Sequence, residues 1–290
     1  MIAVTMPLAA QSSSSVSLAS LSTQPSMNVF RRFAVEPAKM ASFYSEVLGL
    51  KQLPSLNMPG GGQMMLFQIG SGQVKLQYTA GAGEYKTGAV REVTGLRVFT
   101  FFYPDEAAVT ARFVQHGYPA PMFRPARGGK RAAMVLDPAN QWVELMVAPG
   151  ASQELYDSID LGLTVSDLEK SRAFYREFVG LDELPPVEAK VLGTTLYPYR
   201  HKETRLFLYE PAGDHVDNGS AGIQYVVRDT PLVDAKAKHR GGIAVETPLN
   251  KLAGFDLVTV WLNDPDGVTN YFAQVGPNSR TAQQARAAGN

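Results

Sequence analysis

The sequence predicts an α+β protein made of two tandem modules, each built from two β-α-β-β-β units that form a curved, mostly antiparallel sheet. Two matches within the chain support this prediction. The run Phe43-Tyr44-x-Glu46-x-x-Gly49-Leu50 recurs 131 residues later as Phe174-Tyr175-x-Glu177-x-x-Gly180-Leu181, and Asp137-Pro138 recurs 127 residues later as Asp264-Pro265. Two anchors at nearly the same long period indicate a duplicated domain. A chain of 290 residues is also long enough for two domains of ordinary size.

The pattern of one unit is clearest in the second copy. Residues 160–165 alternate, with Leu161, Leu163 and Val165 on one face, as in a half-buried strand. A helix is predicted to follow, capped by Ser166 with Glu169 completing a capping box, and ended by Gly180 in a left-handed conformation. Its apolar residues recur at steps of three and four, so one stripe is expected to face a core.

The other elements repeat the same order. In the first module, strands are predicted at 29–35, 64–69, 74–78, 97–103, 134–136 and 142–147, with helices after Pro37 and Asp105. In the second module, further strands are predicted at 196–199, 205–209, 223–227, 259–262 and 270–273, with a helix from Pro231. The expected boundaries are 27–149 and 155–276 for the modules, 150–154 for a linker and 277–290 for a tail.

Composition excludes several classes of function. Charged residues make up 19 % of the chain, and 27 basic residues balance 27 acidic ones, so there is no basic footprint for nucleic acid. There is no cysteine, which removes disulfides, thiolate nucleophiles and sulfur-ligated metals. No stretch of the sequence reaches the length of apolar residues that spans a bilayer.

The first 26 residues carry no charge, and their apolar start is followed by a serine run. This pattern fits either a disordered tail or the remnant of a signal peptide, so an exported (periplasmic) and a cytoplasmic location both stay open.

The chain resembles the vicinal oxygen chelate superfamily, which groups glyoxalases, bleomycin-resistance proteins and extradiol dioxygenases. The resemblance rests on the run from Val165 to Leu181, its copy from Phe43 to Leu50, and Asp264-Pro265-Asp266-Gly267. It implies curved sheets with a concave ligand cleft. In family enzymes this cleft typically holds a divalent metal between His or Gln on first strands and Glu on last strands.

Carried over position by position, the metal ligands are mostly missing. In the second module the ligand positions of the family fall on Asp160, on Gly222 or Gln224, on Phe207 or Leu208, and on Tyr271. In the first module they fall on Val29 or Phe30, on Leu76 or Gln77, on Arg97 or Val98, and on Glu144. In the first module only the last position, Glu144, carries the family residue, and one carboxylate with at best one glutamine and an arginine is not a metal site. In the second module, Tyr271, Phe207 and Leu208 cannot serve as ordinary ligands for such a cation. The sequence therefore predicts no metal and no cofactor.

Three residues are candidates for catalysis. Glu144 is either a general base or a carboxylate paired with Arg97 or a neighbouring arginine. Tyr271 is either a proton donor or a packing residue, and Asp160 is either a base or an exposed residue at the start of a strand. The residues expected to contact a ligand are Gln77, Arg97, Phe99, Trp142, Tyr199 and Gln224. The histidines, His116, His201, His215 and His239, do not share metal-ligand spacing.

The favoured hypothesis is metal-independent binding of an aromatic or hydrophobic small molecule, either for sequestration or for acid–base chemistry. If the protein is an enzyme, the resemblance implies a lyase or isomerase of the glyoxalase type. The alternatives are a metal-dependent glyoxalase-type lyase or isomerase, a ring-cleaving dioxygenase, and a module for protein association. The expected partner is a small molecule, with neither nucleic acid nor membrane involved, and the chain is expected to be a monomer or a homodimer.

Overall fold

A computed structural model describes residues 16–58, 62–79, 88–211, 221–252, 254–279 and 283. They form four consecutive β-α-β-β-β units, which confirms the predicted α+β fold. Unit 1 comprises β1 (Asn28–Phe33), the helix Pro37–Ser42 with a π-helical turn Phe43–Val47, β2 (Lys51–Asn57), β3 (Gln63–Ile69) and β4 (Gly72–Tyr78). Unit 2 comprises β5 (Gly95–Tyr103), the helix Glu106–Gln115, β6 (Arg124–Pro125), a 3₁₀ turn Arg127–Gly129, β7 (Arg131–Leu136) and β8 (Trp142–Val147).

A short helix, Gln153–Tyr156, leads into the second half of the chain. Unit 3 comprises β9 (Ile159–Thr164), the helix Leu168–Arg172 with a π-helical turn Ala173–Val179, β10 (Asp182–Glu183), β11 (Val187–Ala189), β12 (Thr194–His201) and β13 (Thr204–Tyr209). Unit 4 comprises β14 (Ala221–Val226), the helix Thr230–Arg240, β15 (Ala244–Leu252), β16 (Leu257–Asn263) and β17 (Thr269–Val275). None of the described helices is long and apolar enough to cross a membrane.

The two sheets are formed by units from different modules. Units 1 and 4 make an eight-stranded sheet in the order β15-β16-β17-β14-β1-β4-β3-β2, joined where β1 and β14 pair antiparallel. Units 2 and 3 make a nine-stranded sheet, joined by the antiparallel pair β5 and β9. The expectation that the two units of one module share a sheet is therefore wrong, because each sheet takes one unit from each module. Periodicity determines which face of a strand is buried, but it does not determine which strand lies beside it.

The anchors of the internal repeat contact each other. The Tyr44 hydroxyl donates to Asp137 Oδ2 at 3.0 Å, and the Tyr175 hydroxyl donates to Asp264 Oδ2 at 2.8 Å. Each pair joins the helix of one unit to the turn before the last strand of the next unit. Because all four side chains are buried, these hydrogen bonds explain why both motifs occur in both modules.

The helix of unit 3 begins one residue later than predicted. Asp167, not Ser166, is the N-cap, and its Oδ1 accepts a hydrogen bond from the Lys170 N–H at 3.0 Å. Ser166 instead hydrogen-bonds to Asp266, so the predicted capping box is absent. Gly180 does end the helix with a φ of 82°, as predicted.

The ordered chain begins before residue 27. Leu18 and Leu21 are buried in the hydrophobic core, and the Thr23 N–H donates to the Val226 carbonyl at 2.9 Å. The prediction of a disordered tail is therefore wrong for residues 16–26, while residues 1–15 lie outside the described part. At the other end, the Asn278 N–H donates to Asp256 Oδ2 at 2.9 Å and Ser279 is buried, so the fold also continues past 276.

Candidate functional site

The concave face of the eight-stranded sheet contains a cavity of about 310 Å³ at the junction of β1 and β14. We call it the β1–β14 cleft. The described residues that line it are Asn28, Phe30, Leu56, Met58, Met64, Lys75, Gln77, Gln224, Val226, Leu252, Phe255, Leu257, Trp261, Tyr271, Val275 and Ser279. The strand register brings units 1 and 4 together here, since Asn28 lies opposite Gln224 and Gln224 lies beside Tyr271.

The walls of the cleft are aromatic and aliphatic. Trp261 packs against Tyr271 with ring centroids 5.0 Å apart and against Phe30 with centroids 6.2 Å apart. Gly222 provides the space for the Phe30 ring, because a Cβ at this position would lie only 2.5 Å from a ring carbon. A cleft with apolar walls and a few polar groups is typical of small-molecule sites.

Polar side chains at the junction of unit 1 and unit 4 form a connected chain of hydrogen bonds. Asn28 donates from Nδ2 to Gln224 Oε1 at 2.9 Å, while its Oδ1 accepts from Gln24 Nε2 and from the Gln73 N–H, each at 2.8 Å. These three hydrogen bonds of Asn28 help to hold β1, β4 and β14 together. Burial raises the pKa of Tyr271, so its hydroxyl is neutral at physiological pH and able to donate a hydrogen bond.

Lys75 is a cleft residue that the sequence prediction missed. It lies on β4 between the buried Val74 and Leu76, opposite Phe30 on β1 and Leu66 on β3. Burial lowers the pKa of its ammonium group to about 8. Within the described part of the chain no carboxylate forms an ion pair with it. The signal for Lys75 in the sequence is its position between two buried aliphatic residues of a strand, whereas the family pattern assigns the ligand position to Leu76 or Gln77.

Of the residues predicted to bind a ligand or to act in catalysis, Gln77, Gln224 and Tyr271 lie together in this cleft. They come from β4, β14 and β17, which belong to the first and last units of the chain. The pairing of these units creates the cleft, so its residues come from both modules.

Glu144 and Asp160 lie on the concave face of the other sheet, where arginines neutralise them. Arg127 Nη1 is 2.8 Å from both Glu144 oxygens, and the Thr100 hydroxyl donates to Glu144 at 2.8 Å. Arg205 donates to the two Asp160 oxygens at 3.0 and 2.7 Å, and Arg127 Nη2 lies 3.7 Å from Asp160. We call these four charged residues, Arg127, Glu144, Asp160 and Arg205, the arginine–carboxylate quartet.

The contacts of the quartet show which arginine pairs with Glu144 and whether Asp160 is exposed. The partner of Glu144 is Arg127 and not Arg97, and Asp160 is completely buried and not an exposed strand start. Burial raises the pKa of Asp160, while the guanidinium of Arg205 opposes that effect. The Phe207 ring lies 5.0 Å from the Arg127 guanidinium and 5.7 Å from that of Arg205, which adds cation–π contacts.

Two of the predicted ligand contacts, Phe99 and Tyr199, are in the core. Phe99 points away from the face that carries Thr100, because successive side chains of a strand alternate between its faces, and it lies in the hydrophobic core. Tyr199 is buried and donates from its hydroxyl to Glu183 at 2.9 Å. The expectation that these two side chains contact a ligand is therefore wrong.

Arg97 and Trp142 hold the chain near residue 88. The indole N–H of Trp142 donates to the Gly88 carbonyl at 2.9 Å, and Arg97 Nη2 is 3.5 Å from the same oxygen. The Arg97 carbonyl accepts from Gln141 Nε2 at 2.5 Å. Trp142 also lines a separate apolar groove with Phe113, Tyr118 and Met134, outside the β1–β14 cleft.

The donor groups do not fit the divalent metal that the resemblance implies. The described lining residues of the β1–β14 cleft offer amides, a phenol, an ammonium group and the hydroxyl of Ser279, and the carboxylates of the quartet are bound to arginines. Among the described residues no group of three His, Cys, Asp or Glu is arranged to hold a metal ion. His201 is buried beside Ser22, while His215 lies outside the described residues.

Comparisons with known proteins agree with this fold. The model of the Glyoxalase/Bleomycin resistance protein/Dioxygenase superfamily matches residues 26–145 and 158–272. Glyoxalase I from Zea mays is 20 % identical with a TM-score of 0.73, covering 94 % of this chain and 98 % of its own. A dioxygenase-like protein from Bacillus subtilis is 16 % identical with a TM-score of 0.65, covering 88 % of this chain and 87 % of its own. No protein of curated function matches the sequence.

Proposed function

The chain belongs to the Glyoxalase/Bleomycin resistance protein/Dioxygenase superfamily, and from this premise we propose that its β1–β14 cleft binds a hydrophobic or aromatic small molecule without a divalent metal. The observation that carries the proposal is the cavity of about 310 Å³ with aromatic walls and few polar groups. Flat ligands suit these walls, because Trp261 and Tyr271 present ring faces and edges for stacking.

Metal independence is supported by the charge of the cleft. The lining residues that the structure describes include Lys75 but no carboxylate, so a bound cation would meet an ammonium group and no compensating negative charge from them. The amide groups of Asn28 and Gln224 are already hydrogen-bonded to each other. A metal would compete for oxygens that already accept hydrogen bonds, and no described lining residue would give it an anionic ligand.

Binding is better supported than acid–base catalysis by Glu144 or Asp160. A general base must be free to accept a proton, whereas both carboxylates accept two or more hydrogen bonds from arginines. Tyr271 and Lys75 are the titratable groups among the described lining residues. Any lyase or isomerase step in the β1–β14 cleft would have to use those two groups.

The first test is binding of N-phenyl-1-naphthylamine, a neutral aromatic probe that fluoresces in apolar surroundings. We expect saturable binding that EDTA does not change and that Met64→Trp abolishes, because the larger side chain fills the cleft. Met134→Trp, a matched change in the groove beside Trp142, serves as the control and should leave binding intact.

Metal content is measured in parallel, by elemental analysis of protein offered iron, zinc, manganese and nickel. The proposal predicts no metal above background and equal probe binding with and without it. Stoichiometric metal together with loss of probe binding in EDTA would overturn the proposal and favour the metal-dependent alternative.

A further inference from the structure

Among the residues that the structure describes, the β1–β14 cleft has a positive charge with no negative charge to compensate it. Of its sixteen described lining residues, Lys75 is the one charged side chain, and the remainder are apolar or neutral. Lys75 is half-buried between Phe30 and Leu66. Arg32, two residues after Phe30 on β1 and opposite Gln77, adds a second cation near the end of the same face.

The other sheet shows how this fold compensates charges in the same setting. Each arginine of the quartet lies within 2.8 Å of a carboxylate oxygen, and both carboxylates are buried. No described side chain does the same for Lys75. A partly desolvated ammonium group without a partner is unfavourable, and an anion brought by a ligand would remove that cost.

We propose that the β1–β14 cleft selects apolar molecules that carry a carboxylate or a comparable organic oxyanion, and that Lys75 binds this group. The inference rests on the proposed function and specifies its ligand class. The apolar body of the ligand would lie against Trp261 and Tyr271, and its anionic end would lie at Lys75. Gln77, two residues further along the same face of β4, offers an amide N–H₂ as a second donor.

Binding of an anion should depend on pH. The titratable groups among the described lining residues are Lys75 and Tyr271. Arg32 on β1 is the other charged group near this face, and β3 places Leu66 opposite Lys75. Burial lowers the pKa of Lys75 to about 8 and raises that of Tyr271, so only Lys75 changes charge between pH 7 and pH 9. The affinity for an anion should therefore fall over this range, whereas the affinity for a neutral isostere should not.

The test uses two competitors that differ in charge but scarcely in shape, 1-naphthoate and 1-naphthamide, each displacing N-phenyl-1-naphthylamine. For the wild-type protein at pH 7 we expect naphthoate to bind about tenfold more tightly than naphthamide, in line with a charge-assisted hydrogen bond. Lys75→Met should abolish this preference and leave the affinity for naphthamide within about twofold. Lys75→Arg should keep it, and Lys51→Met, which removes an exposed lysine on β2, controls for net charge.

The outcomes separate the two proposals. If the neutral probe binds and Met64→Trp blocks it, but naphthoate shows no preference or keeps its preference in Lys75→Met, then the anion inference is wrong and the proposed function stands. If neither competitor displaces the probe and Met64→Trp has no effect, the proposed function itself fails. The pH series on the wild-type protein gives a second test that does not depend on folding of the variants.

Discussion

Asp264 is a buried carboxyl that should make the protein less stable as pH rises. It accepts hydrogen bonds from the Tyr175 hydroxyl at 2.8 Å and from the Asp266 and Val268 N–H groups at 2.9 Å each. No cation among the described residues pairs with it. Burial raises its pKa from 3.8 to about 7.

The sign and size of the effect follow from that pKa. Between about pH 4 and pH 7 the folded protein holds a proton that the unfolded chain has lost, so the free energy of unfolding falls as pH increases. From pH 5 to pH 8 this amounts to about 3 kcal/mol, at about 1.4 kcal/mol for each pH unit over which only the folded protein holds the proton. Above about pH 8 the carboxyl is ionised in both states and the contribution stops changing.

Asp264→Asn removes this titration and keeps a carbonyl oxygen for the two N–H groups. We expect the variant to be relatively more stable at pH 8 than at pH 5, with a difference from wild type that shifts by about 3 kcal/mol between the two. Urea denaturation followed by circular dichroism at both pH values measures the shift. An equal effect of the substitution at pH 5 and pH 8 would show that Asp264 does not titrate in this range and would refute the reasoning.

Asp137 provides the matched comparison. It makes the same contact to Tyr44 as Asp264 makes to Tyr175, but Arg31 Nη1 lies 2.5 Å from its Oδ2. Asp137→Asn should therefore leave a buried arginine without its anion and destabilise the protein by about 3–5 kcal/mol at pH 8. The two substitutions change the same repeat position, but only Asp137→Asn takes an anion away from a buried arginine.

Three further predictions concern other parts of the structure. Arg127→Met should destabilise the protein by about 3–5 kcal/mol in urea denaturation, and adding Glu144→Gln should restore much of the loss; simple additivity of the two changes would contradict the pairing. Gly222→Ala should weaken binding of N-phenyl-1-naphthylamine, because the new methyl group must displace the Phe30 ring, and unchanged affinity would argue against this packing. Leu21→Ala should lower the free energy of unfolding by about 2–5 kcal/mol, whereas a value near zero would return residues 16–26 to the disordered tail.

The order of the elements was predictable because it depends on local signals. The repeat anchors, the alternation around Leu161 and Leu163, and the left-handed Gly180 each express a preference of a short stretch of chain. The start of the helix after β9 was misplaced by one residue because Ser166 and Asp167 are both good N-caps. Only the tertiary contact of Ser166 with Asp266 decides between them.

The site was less predictable because it depends on partners far apart in the sequence. Asn28 and Gln224 are 196 residues apart and are hydrogen-bonded at 2.9 Å. Four similar first strands can pair in more than one way, and nothing in the periodicity of β1 distinguishes β14 from β5 as its neighbour. A shift of one residue in register also exchanges the faces of a strand, and β5 has such a shift between Leu96 and Val98. The sequence pattern therefore assigns Phe99 to the cleft, whereas the structure has it in the core.

The two sheets differ in whether the charged side chains on their faces are paired, and this difference bears on which face binds a ligand. The four units form two sheets, and charged residues on a face of either sheet need partners once water is excluded. On the nine-stranded sheet the partners are arginines of the chain itself, so an incoming anion would have to compete with Glu144 and Asp160. On the eight-stranded sheet Lys75 has no such partner among the described residues. The unpaired charge, more than the shared fold, is therefore the reason to expect ligand binding at the β1–β14 cleft.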